Sequence, residues 1–324
     1  MYLLIGSASD PCCTLIGEIL RDRGFTAVSL ERPLSQPCRF SWRFACRNPG
    51  DGLCHESESH LSVDGLRDMT GHGLQGVLVR DISWYEPEGW TESDALYMAT
   101  ETQAAMLGWL WSIPAIVINR IPAWLWYRPR PPFVFWLSLL QRAGLRTPCI
   151  VISNDSVSLR KWRSGHPRGA VYSQLSTGEH FLVSTEKDWD GLEAIAHHSI
   201  VALTEPHGES YLACVVGERV IWNDDAPSMA PDITDSLVRF ARLANLDFVQ
   251  FILAEQPTEL SAPPYEARVI VVVGVETYVQ FHRFRPVVQH AIAEALTDLL
   301  TRSPAGSEMH SSSSASHMLE RSAP

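Results

Sequence analysis

Cys38, Cys46 and Cys54 recur at intervals of eight residues, with His55 and His60 close behind. Thiol and imidazole are donors for zinc, but structural zinc sites use tight Cys-x-x-Cys pairs, which this chain lacks. The step from His55-Glu56 to His60 is also one residue too long for a His-Glu-x-x-His metalloprotease motif. These cysteines therefore read as buried or surface thiols. Cys12-Cys13 opens a helical pattern, where a helix N-terminus could lower a thiol pKa; the alternative is plain packing. Gly6-Ser-Ala-Ser-Asp10 follows an apolar run and offers backbone N–H groups to an anion, but it holds one glycine and no lysine, which falls short of a phosphate loop.

Trp84, Trp90, Trp109, Trp111, Trp124, Trp126 and Trp136 crowd the middle of the chain, with Arg120, Arg128 and Arg130 interleaved among the later ones. Such a stretch either binds a peptide or partner protein or packs a domain junction with tryptophan. On the binding alternative the surface comprises Arg80, Trp124, Trp126, Arg128, Arg130 and His282. His197-His198, and His282 beside Arg283 and Arg285, are either structural or line a cleft.

The elements that must position these residues begin with an apolar run Tyr2–Gly6, an amphipathic stretch around 14–20 ending at Gly24, and Ala27–Leu30, a β-α-β opening. Gly76–Val79, a helical pattern over Ser93–Trp109 and Ala115–Ile118 continue the alternation, which predicts a mostly parallel sheet. The Pro-rich 121–132 segment breaks it. Beyond lie a helix over Phe133–Ala143 capped by Gly144, a strand over Thr147–Ile152, and a hairpin of 169–175 with 181–184 around Thr177-Gly178. Ile200–Leu203, Tyr211–Val216 and Val220–Trp222 read as one antiparallel group with a tight turn. A helix over Thr234–Ala244, strands over 248–253 and 268–273, and a helix over Pro286–Leu300 complete the chain. Residues 303–324 carry few apolar side chains and are expected to be disordered.

Composition narrows the classes of function. The chain has 324 residues, of which 45% are hydrophobic and 19% charged, with a formal net charge of -11. Mean hydropathy near zero and this length suit a soluble protein of two or three folding units. Net acidity argues against a general nucleic-acid binder. The most apolar stretch, 104–126, is interrupted by Pro114, Asn119, Arg120 and Pro122, against a membrane span. Seven cysteines and an N-terminus without signal-peptide features predict reduced thiols and a cytosolic location.

Five fragments carry a resemblance by their order and spacing. They are Val79-Arg80 after a strand, Ile118-Asn119, Ala143-Gly-Leu-Arg-Thr-Pro148 leading to Ser153-Asn-Asp155, Val215-Val-Gly-Glu-Arg-Val220, and Leu243 to Phe248. Together they resemble the ATP-grasp superfamily, specifically RimK-like peptide and amino-acid ligases. The resemblance implies a pre-ATP-grasp α/β domain (1–128) and an α+β ATP-grasp region of two lobes (129–190 and 191–302), followed by the tail. It also implies ATP held between the lobes, a carboxylate activated as an acyl phosphate, and attack by an amine. That chemistry requires cations at the phosphates and magnesium ligands.

The cations are missing where the resemblance places them. Of 26 basic side chains only Lys161 and Lys187 are lysines. The first strand lysine falls within 130–136, which has none; the second falls at Ser173 or Gln174. The catalytic arginine falls near Leu212, the magnesium aspartate near Ile252, and the Glu-x-Asn pair within 273–276, where Glu276 alone survives as a metal ligand. Glu205, His207 and Arg219 surround the segment expected to contact adenine.

The expectation is a degenerate ATP-grasp protein without a cofactor, serving as a binding or scaffold subunit for a peptide or protein substrate, an active ligase paralogue or a second copy of itself. The alternative is a divergent, active carboxylate-amine ligase using MgATP. Arg128 or Arg168 would then replace lysine, and metal ligands would come from Asp224, Asp225, Asp247 and Glu276. An enzyme using cysteine or histidine chemistry in the old cleft is a third class, for which no recognisable spacing speaks.

Overall fold

The computed structural model describes residues 1–7, 9–30, 38–46, 55–63, 69–80, 89–120, 131–167, 169–175, 179–223, 231–256 and 269–302. Strands β1 (Tyr2–Ile5), β2 (Ala27–Leu30), β6 (Gly76–Val79) and β7 (Ile116–Ile118) form a sheet in the order β2-β1-β6-β7, and every pairing is parallel. Helix α1 (Pro11–Asp22) joins β1 to β2, and α2 (Glu92–Ser112) joins β6 to β7. Strand alternation sends Tyr2 and Leu4 into one core with α1, and Leu3 and Ile5 into another with α2. Covered on both faces, β1 reads as an unbroken apolar run.

Between β2 and β6 the chain makes an antiparallel sheet of β3 (Cys38–Cys46), β4 (His55–Val63) and β5 (Met69–Thr70). The cysteine spacing obscured these strands, although Phe40-Ser-Trp-Arg43 alternates with the period of a strand. Ser59 of β4 accepts a 2.8 Å hydrogen bond from the buried Trp109 indole.

After Trp136, which closes a one-turn 3-10 helix (Phe133–Trp136), α3 (Leu137–Ala143) ends at Gly144 with φ +83°. Strands β8 (Ile150–Ser153), β9 (Ala170–Ser173), β10 (His180–Val183) and β11 (Val201–Thr204) form an antiparallel sheet ordered β10-β9-β11-β8. Two helices absent from the sequence reading cover one face: α4 (Ser156–Gly165) and α5 (Glu186–Ala196). Asp155 caps α4 by accepting from Val157 and Ser158, and Thr185 with Asp188 forms a capping box on α5. The sequence grouped Ile200–Leu203 with the strands after it; β11 instead lies between β9 and β8.

The last sheet is β12 (Ser210–Val216), β13 (Arg219–Trp222), β14 (Phe248–Gln256) and β15 (Val269–Glu276), antiparallel in the order β13-β12-β14-β15. Gly217, at φ +58°, makes the tight β12–β13 turn. Helix α6 (Pro231–Ala244) and α3 pack on one face. The other face meets α7 (Pro286–Leu300), which also packs against α1, β6 and β7, so one core joins the first sheet to the last.

Asn119 reinforces that junction. Its side chain donates to the Phe248 carbonyl at 2.6 Å and accepts from the Asp247 and Phe248 N–H groups at 2.8 and 2.7 Å. Among the described residues no helix is long and apolar enough to cross a membrane.

Candidate functional site

Three cross-strand neighbours occupy the places where the resemblance put a catalytic arginine and metal ligands. Leu212 of β12 faces Ile252 of β14, and Ile252 faces Gly274 of β15. Leu212 and Ile252 pack into the core shared with α7. A Cβ on Gly274 would stand 3.0 Å from Ile252 Cδ1. The row therefore presents hydrocarbon, with no oxygen or cationic donor from a side chain.

Glu276, two positions on, pairs in register with Gln250. Gln250 is fully buried, and its Oε1 accepts from the Gln280 N–H at 2.8 Å, while Nε2 has no hydrogen-bond partner among the described residues. Among the described residues Glu276 is not gathered with two other His, Cys, Asp or Glu donors.

At the other sheet, Ser173, one of the two positions (with Gln174) expected for a strand lysine, ends β9 on the face turned away from α4 and α5. Its Oγ lies 2.8 Å from His180 Nδ1. Desolvation, and secondarily the charge of His207, hold His180 below the ordinary histidine range, so it is a poor stand-in for a permanent cation. Ile152 and Leu182, on the same face by strand parity, are 44% and 65% exposed. The two lysines are exposed on helices, Lys161 on α4 and Lys187 on α5, away from the strands.

Glu205 follows β11 and borders a cavity of about 1140 Å³ that runs between α3, the Arg146–Pro148 segment, His166 and the outer ends of β14 and β15. It lies 3.0 Å from His166 Nε2 and accepts a hydrogen bond from Gln256 Nε2. His207 is exposed beside it, with Nδ1 3.4 Å from the Gly208 carbonyl. Arg219 does not join them: the seven residues of β12 separate it from Glu205 and His207 along the chain, and it pairs with Asp298 of α7 at 3.1 Å.

Several other expected site residues are placed elsewhere. Arg80, expected on an exposed surface, is 7% exposed. It donates to Asp10 at 2.9 Å and to the Val279 carbonyl at 2.8 Å, beneath the rings of Phe248 and Tyr278. His282 is exposed on the short turn Phe281–Arg283, while Arg285 holds Asn223. Trp109 and Trp136 are buried; Trp90 and Trp111 are exposed. Arg120 donates to the carbonyls of Trp111, Ile113 and Ala115, closing the end of α2. Trp84, Trp124, Trp126, Arg128, Arg130, Arg168, Asp224 and Asp225 lie outside the described residues, as do Cys54 and the 303–324 tail. Cys12 is fully buried, and burial pushes its thiol up to about 12 despite nearby Arg80, which speaks against a reactive thiol at that position.

His166 and Gln256 were missed as partners of Glu205. Nothing in the linear sequence joins them, because the turn after α4 and the end of β14 come together only in the fold.

No family model matches the chain, and no curated protein sequence matches it. Solved structures do. The macrocyclase MdnC from Microcystis aeruginosa MRC, bound with precursor peptide MdnA, is 16% identical with a TM-score of 0.69, covering 92% of this chain and 100% of that one. A Chryseobacterium gregarium RiPP-associated ATP-grasp ligase, in complex with ADP and a leader and core peptide, is 14% identical with a TM-score of 0.70 over 92% and 96% of the two chains. A RimK domain ATP-grasp protein from Sphaerobacter thermophilus DSM 20745 is 15% identical with a TM-score of 0.54 over 93% and 99%. Such likeness at low identity, spanning nearly the whole of every chain compared, shows that this protein has the fold of the ATP-grasp ligases.

Proposed function

We propose that the chain is an ATP-grasp-fold protein without ligase chemistry of its own, acting as a peptide-binding or scaffold subunit in a biosynthetic or peptide-modifying pathway. The observation that carries this reading is the Leu212–Ile252–Gly274 row, which offers hydrocarbon where the resemblance to ATP-grasp ligases expects an arginine and oxygen ligands for magnesium. Ser173 beside a charge-suppressed His180 supports it at the other wall. The peptide ligand is suggested by similar folds solved with precursor, leader and core peptides. An active ligase paralogue would supply the catalysis that this subunit lacks.

A second reading, an active carboxylate-amine ligase with arginines in place of lysines, is favoured by the fold it shares with a ligase solved with ADP. Thermal unfolding of the purified protein with and without millimolar MgATP separates the two, because a ligand bound by the folded state alone raises stability by RT ln(1 + [L]/Kd). The subunit reading expects no shift. A clear magnesium-dependent rise in Tm would overturn it in favour of the ligase.

A further inference from the structure

We infer that Cys149, His166 and Glu205 form a binding site for a zinc-class divalent ion at the edge of the cavity. The three residues are far apart in sequence, and the fold brings them together for simple reasons. β11 pairs antiparallel with β8, with Thr204 opposite Ile150; one further step of that register sets Glu205 opposite Cys149. α4 leaves the end of β8 and runs back. Ten helical residues cover about 15 Å, close to the length of four strand residues, so His166 at its C-cap returns to the start of β8. The three donor atoms all lie within 4.8 Å of one another.

The surroundings are built for a cation. His166 Nδ1 sits 2.7 Å from the Trp162 carbonyl, which can only accept, so Nδ1 carries the hydrogen. The ring is held flat on Trp162 at 3.9 Å between centroids. In a neutral ring this leaves Nε2 as a lone pair, aimed at a Glu205 carboxylate oxygen 3.0 Å away. Two lone pairs at that distance repel unless a positive species lies between them, either a proton or a metal ion. The other Glu205 oxygen accepts from Gln256, so both the imidazole and the carboxylate have an orienting partner of the kind that supports metal ligands.

The donor set selects the metal. A thiolate beside imidazole and carboxylate disfavours magnesium and calcium, which take oxygen ligands, and suits zinc. Zinc bonds of about 2.0–2.3 Å allow ligand atoms roughly 3.3–3.7 Å apart in a tetrahedron. The exposed Cys149 side chain can reach that spacing by rotation, releasing its thiol proton to solvent as the metal binds. Among the described residues no fourth His, Cys, Asp or Glu joins the group. Three protein ligands with one open position are the pattern of a zinc that also takes water or a group from a bound molecule. His166 and Glu205 both border the cavity, where such a molecule would sit.

The test uses the full chain, purified without an affinity tag, incubated with zinc and dialysed against metal-free buffer before elemental analysis. The expected result is one zinc per chain, lost in Cys149→Ser and His166→Asn and retained in His290→Ala, which removes an exposed His–Glu pair on α7. Gln256→Ala is expected to weaken zinc affinity about 10–100-fold while leaving the ligands in place. Cobalt bound to the unaltered protein should show a sulfur-to-metal charge-transfer band that is absent in Cys149→Ser. No retained zinc, no such band, or equal zinc in the unaltered protein and Cys149→Ser would overturn the site and leave the His166–Glu205 contact as a protonated ion pair. A loss of zinc confined to His290→Ala would also overturn it, by placing the metal on the helix surface.

Discussion

Arg80 shows how a cation that looks available in a sequence can be committed to the fold. It stands at the end of β6, and its guanidinium is satisfied by the Asp10 carboxylate, the Val279 carbonyl and two aromatic faces. Asp10 in turn caps α1 by accepting from the Cys12 N–H at 2.8 Å. Removing one member of a buried ion pair leaves the other charge desolvated, so Arg80→Met is expected to cost about 3–5 kcal/mol, read from urea unfolding. A loss below about 1 kcal/mol, typical of an exposed pair, would mean that Arg80 is free for a ligand after all.

At the scale of elements, the entry into β9 after α4 is tightly constrained at Gly169. Gly169 has φ +97°, and a Cβ there would lie 2.6 Å from the Val183 carbonyl oxygen. Gly169→Ala is expected to destabilise the protein by at least about 1–3 kcal/mol, lowering the urea midpoint with an unchanged slope. How much of this was legible in the sequence varies by element. α7 and the strands of the first sheet were readable within a residue or so, because their apolar runs end at polar or turn-forming residues. α4 and α5 went unread although Asp155 and the Thr185-Glu-Lys-Asp188 box announce them, since both are short and strongly charged. The β3–β4 pair was obscured by the regular cysteine spacing, which reads as a donor pattern and not as strand alternation. That 248–253 holds no Asp or Glu and 170–175 no Lys was legible in the sequence alone, because a slip of one or two residues in alignment changes neither. The meeting of Cys149, His166 and Glu205 was not, because it depends on strand pairing and on a helix returning to its origin.

The whole molecule divides by cores rather than by order along the chain. Residues of β8–β11, α4 and α5 form a core of their own, whereas the first and last sheets share one through α7. Leu296 is fully buried in that shared core. Leu296→Ala is expected to cost about 2–5 kcal/mol. Hydrogen exchange should then quicken together in β1, β6, β7 and β12 and stay unchanged in β8–β11. Faster exchange confined to the last sheet would show that the junction is energetically loose.

The shared helix also sets a timetable for synthesis. Ile16, Ile19 and Leu20 of α1 belong to a core that is completed by residues 286–300. At about 5–20 residues per second, the ribosome needs on the order of 15–60 s to deliver the covering helix after α1 has emerged. Through that interval the nascent N-terminal sheet carries a bare apolar flank, so a chaperone or a partner bound during translation has its best opportunity there, before the mature protein closes over it.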